Sequence, residues 1–122
     1  MTYINEKTKR INVDKIPELF SKLGMKPVCN TFGSPAAKSP CGCLLTALLC
    51  EKIGVEETDS MLVQYTLQAV PRAARILDLS TDYTQGLVAG FDGKFTPKGV
   101  DHYNGFVDGA AAIRLLVNRG VK

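Results

Sequence analysis

Tyr83, Asp101, His102 and Asp108 are the side chains of this chain best placed to build a polar site. Asp101, Gly105 and Asp108 follow at spacings of four and three, so on a helix they share one face. A glycine between two carboxylates leaves room for a ligand. His102, Tyr103 and Tyr83 would add an imidazole and two phenols to the wall. This set predicts a small polar pocket in a ligand-binding or enzymatic domain. The same residues have a structural reading. Asp82 and Asp101 lie near helix starts, where a carboxylate stabilises the amino end, and Asp108 faces water.

The cysteines offer a second chemistry. Cys29, Cys41, Cys43 and Cys50 are four thiols, enough for a zinc or iron–sulfur site. If a helix begins at Pro40, Cys41 and Cys43 point about 200° apart around it, and Cys43 and Cys50 are about 10.5 Å apart along it. That is too far for one metal ion or a disulfide. A thiol-ligated metal or redox site on Cys29, Cys41 and Cys43 therefore requires residues 40–43 to form a non-helical knuckle. Otherwise Cys43 and Cys50 are small core residues. Cys41, in the first turn of such a helix, would have a lowered pKa and could use His102 as its base. No Cys-x-x-Cys spacing is present, and no cofactor is expected.

Other chemistries lack their residues. There is no glycine loop ending in Gly-Lys-[Ser/Thr], no Gly-x-Gly-x-x-Gly, no His-Glu-x-x-His and no Gly-x-Ser-x-Gly. The segment 92–101 fails as a calcium loop, since Lys94, Thr96 and Pro97 stand where ligands and glycine are needed. Lys7, Lys9, Arg10, Lys15, Lys22 and Lys26 form a basic set, but Glu6, Asp14 and Glu18 interrupt it. With a net charge of +3, nucleic acid is not the expected partner.

The elements that must position these residues are punctuated by glycine and proline. Asp82, Gly86, Val88 and Gly90 repeat as Asp101, Gly105, Val107 and Gly109, nineteen residues on. Glycine costs about 1 kcal/mol relative to alanine inside a helix, so two such pairs require a reason. Close backbone approach supplies one. Gly86 and Gly90 on one helix face Gly105 and Gly109 on the next, in an antiparallel hairpin with Phe91, Phe95 and Phe106 at its rim.

Upstream, Asp14, Pro17 and Gly24 bracket a helix with Ile16, Leu19, Phe20 and Leu23 inward. Ser39, Pro40 and Gly54 bracket a second, apolar on nearly all sides and so central. A third starts at Glu56–Ser60, and Pro71 should kink or end it before a short helix from Arg72 to Leu79. Ser80 caps the first glycine helix. Thr96 and Pro97 start the last, which places Ala112, Ile113, Leu116 and Val117 inward.

These signals predict one all-α domain over 1–122: five or six helices around the central 40–53 helix, with residues 1–12 as a flexible tail. The N-terminus lacks an apolar signal region, and no stretch reaches the roughly 20 apolar residues that span a bilayer, so the expected location is cytoplasmic with reduced thiols. The leading expectation is an interaction or regulatory module without catalysis. Its surfaces are the 29–39 loop and the exposed side of the glycine hairpin. A protein partner or a homodimer is preferred over nucleic acid or membrane, and a small-molecule ligand is the alternative.

Overall fold

The computed structural model describes residues 3–94 and 98–120. Among them are six α-helices and two small sheets, so the chain is mostly helical and not purely all-α. The helices are α1 (Ile16–Leu23), α2 (Leu44–Ile53), α3 (Val55–Gln64), α4 (Ala69–Leu77), α5 (Thr81–Phe91) and α6 (Val100–Asn118).

The expected tail is instead a hairpin. β1 (Ile4–Asn5) pairs antiparallel with β2 (Arg10–Ile11), and Tyr3, Ile4 and Ile11 are buried in the core. Three apolar residues among the nine from 3 to 11 are too few to show as a period. Their burial depends on the surface that α2 and the later helices offer.

The second correction concerns residues 40–43. They are not helical. β5 (Cys41–Gly42) lies between β3 (Lys26–Pro27), to which it is parallel, and β4 (Gly33–Ser34), to which it is antiparallel. Gly33 has φ +81°, and a side chain there would strike the backbone of Cys41 and Gly42. The long 29–39 loop is thus stitched to the start of α2, where the Thr46 hydroxyl also donates to the Phe32 carbonyl at 2.7 Å. α2 begins only at Leu44, and its residues Leu44 to Cys50 are all buried.

Pro71 does not end a helix. It sits in the first turn of α4, where a missing N–H costs nothing. The break falls earlier, at Tyr65 and a single 3₁₀ turn over Thr66–Gln68. α1 keeps Pro17 in its first turn and ends at Gly24 with φ +61°, but Lys15, after a 3₁₀ turn, replaces Asp14 at its cap. Ser80 caps α5, its hydroxyl accepting from the Tyr83 N–H at 3.0 Å. α6 follows Gly99, and the expected start at Thr96 and Pro97, like Phe95, lies outside the described residues. Val117 points outward and is 56% exposed. No described helix is long and apolar enough to cross a membrane.

Candidate functional site

The four glycines meet, but in the opposite sense to a hairpin. A Cβ on Gly86 would fall on the His102 carbonyl oxygen, with the Phe106 nitrogen and Gly105 Cα within 3.0 Å. A Cβ on Gly90 would fall on the Phe106 carbonyl oxygen. The reciprocal pairs are Gly105 with the Tyr83 carbonyl and Gly109 with the Leu87 carbonyl. Contacts on both helices climb together, so α5 and α6 are parallel. Subtracting nineteen from the α6 numbers reproduces the α5 set, which describes an approximate two-fold axis along the pair.

The end of α5 at Phe91 and the start of α6 at Val100 are therefore offset by about 15 Å along the pair. Each glycine directs an α-hydrogen at a carbonyl of the other helix. Such Cα–H···O contacts contribute about 0.5–1 kcal/mol each. A motif repeated in the same order is compatible with either direction, and the glycine contacts decide for the parallel one.

Of the four polar residues, the structure joins two and separates the rest. The Tyr83 hydroxyl donates to Asp108 Oδ2 at 2.5 Å and accepts from the Ile11 N–H at 2.9 Å. Arg10 closes the cluster from the hairpin, with Nε 2.9 Å from Oδ2 and Nη2 2.8 Å from Oδ1 of Asp108. Asp108 is 7% exposed and does not face water. Burial first, and the Asp108 carboxylate second, push the Tyr83 hydroxyl far above the ordinary phenol range. Asp108 in turn holds the Arg10 guanidinium more firmly protonated. This cluster fastens the β1–β2 hairpin to α5 and α6, and its acceptors are already in use.

Asp101 is exposed and accepts from the Ser80 hydroxyl at 3.3 Å. His102 is buried and its Nδ1 has no hydrogen-bond partner. Neither residue joins the Tyr83–Asp108 pair by a hydrogen bond. Tyr103 is half exposed on the outer side of α6.

The thiols also stay apart. Cys29 Sγ donates to the Phe91 carbonyl at 3.3 Å, Cys41 Sγ accepts from the Ser34 N–H at 3.4 Å, and Cys43 Sγ lies 3.5 Å from the Thr46 hydroxyl. The described residues hold no cluster of three metal-ligating side chains. Burial pushes the Cys29, Cys43 and Cys50 thiols up, away from reactivity at neutral pH. Cys41 stands in a strand, so the helix-dipole argument for it lapses.

Three of the basic residues are engaged with acids. Lys9 reaches Glu6 and Asp78, Arg10 reaches Asp108, and Lys22 reaches Glu51. They do not present a free cationic field.

Two features were missed in the sequence. On α6, Val100, Tyr103, Val107 and Val117 are 77%, 51%, 40% and 56% exposed. With Ala110 and Arg114 they recur at spacings of three and four along one stripe, opposite the glycine face. The strong inward period of residues 110–117 concealed it. The other is a groove of about 250 Å³ lined by residues of α3 and α4, around Tyr65 and Arg72. It depends on the break at Tyr65, which the assignment to Pro71 displaced. No family model, curated protein or solved structure matches the chain.

Proposed function

We propose that this protein is an interaction module without catalysis of its own, and that it pairs with a second copy along the outer face of α6. One observation carries the reading. α6 places its glycine face against α5 and leaves a 19-residue helix with an apolar stripe on the opposite side, in water.

The stripe is complementary to itself in an antiparallel pair. Val100 then stands opposite Val117, Val107 opposite Ala110, and Tyr103 opposite Arg114. Arg114 is the one charged residue on the stripe, and this register sets its guanidinium over the partner's tyrosine ring, an attraction of about 0.5–1 kcal/mol at an exposed site. The pair is isologous, as two-fold dimers require. One helix face, about 28 Å long, falls short of a standard interface. The expected dimer is therefore weak, with a Kd on the order of micromolar. A cytoplasmic setting is part of the proposal, supported by four cysteines left as free thiols.

Sedimentation equilibrium of the full chain and of Val107→Glu tests it. The expected result is a concentration-dependent dimer that the glutamate abolishes without lowering the melting point of the dilute monomer. A chain still monomeric at about 1 mM, or a dimer indifferent to Val107→Glu, would overturn the proposal.

A further inference from the structure

We infer that the groove between α3 and α4 binds a small organic oxyanion, a carboxylate or phosphate monoester on a compact apolar body. Both helices lean on α2 and leave the groove between them, with Ile53, Met61 and Ile76 as its apolar part. The Arg72 guanidinium stands over the Tyr65 ring, its Cζ 3.6 Å from the centroid. Its Nε is buried and has no hydrogen-bond partner.

A buried N–H without an acceptor is an unfavourable arrangement in a finished fold. Here the guanidinium is already immobilised by stacking, so its fork is oriented before any acceptor arrives. Arg75, three residues on, lines the same groove, so two cations face one cavity. Glu57 is the single acid among the lining residues and forms no ion pair with either arginine. α4 also begins with no acidic residue in its first turn, leaving its positive end uncompensated. Two oxygens of a carboxylate or phosphate match a guanidinium fork, which a lone halide does not. The volume suits a ligand of modest size.

The test is an NMR titration of the full chain with benzoate, phenyl phosphate and inorganic phosphate, following the Arg72 Nε–H resonance and the α3 and α4 amides. Saturable shifts with at least one organic anion are expected, and which of the two binds tighter identifies the oxyanion. Inorganic phosphate should bind about tenfold more weakly, because it leaves the apolar wall uncovered. Arg72→Gln should weaken organic-anion binding about tenfold and Arg75→Gln about threefold, with the amide spectrum away from the groove unchanged. The inference is overturned by shifts that do not saturate at about 10 mM, by equal affinity for inorganic phosphate, or by an affinity unchanged in Arg72→Gln. The groove is remote from the α6 stripe, so self-association and anion binding stand or fall separately.

Discussion

Adding one methyl group at Gly86 or Gly105 should force α5 and α6 apart. In Gly86→Ala the new Cβ meets three backbone atoms, the His102 oxygen, the Phe106 nitrogen and Gly105 Cα, all closer than 3.0 Å. No rotamer change relieves a clash with backbone, so one helix must move by about 1 Å. Overpacking of this kind costs typically 1–3 kcal/mol. Loosening the four Cα–H···O contacts removes about 2–4 kcal/mol more. The better helix propensity of alanine returns about 1 kcal/mol. The net expectation is a loss of roughly 2–6 kcal/mol in urea unfolding.

The parallel arrangement makes a sharper forecast. Gly86→Ala and Gly105→Ala open the same contact, so the double variant should fall short of the sum by 1 kcal/mol or more, on the order of energies for touching residues. Gly86 with Gly109, the pair an antiparallel hairpin would join, should come closer to additivity. If Gly86→Ala is neutral or stabilising, or if the Gly86–Gly109 pair couples more strongly, the backbone-to-backbone packing described above is wrong.

Two further outcomes follow from the cluster on the hairpin. Tyr83 ionises near pH 10 when unfolded and higher when folded, so the folded state keeps its proton longer. Stability from this residue is fully present below pH 10 and declines above it, by up to about 1.4 kcal/mol per pH unit. Alkaline urea titrations should show this decline in the wild type and not in Tyr83→Phe. Asp108→Ala leaves Arg10 and the Tyr83 hydroxyl without their acceptor. It should cost about 2–4 kcal/mol, less than a fully buried pair because the Arg10 side chain is 37% exposed. It should also speed hydrogen exchange at the Ile11 amide, and unchanged protection there would remove the fastening role.

Much of the fold was legible in residue types. Pro17 with Gly24, Ser80, and Gly54 mark element ends because their backbone requirements are local. The 44–50 run reads as central because no polar face exists to be exposed. Where the reading failed, a distant partner decided. Ser39 and Pro40 look like a helix start, yet residues 41–42 find strand partners at 26–27 and 33–34. Pro71 looks like a stop, yet it is equally suited to a first turn. The polar pocket assumed that Asp108 was free for a ligand. Arg10, 98 residues away in sequence, takes both of its oxygens.

The sequence by itself determined that two helices must approach to backbone distance, since only glycine leaves no side chain between them. Their relative direction was not encoded, because a motif repeated in the same order suits parallel and antiparallel rods alike, and the glycine contacts decide for the parallel pair. Tertiary structure alone decided what those rods leave uncovered. Which face of α6 meets water, which carboxylate meets an arginine and which guanidinium lacks an acceptor are set by contacts across long stretches of chain, and no local periodicity encodes them.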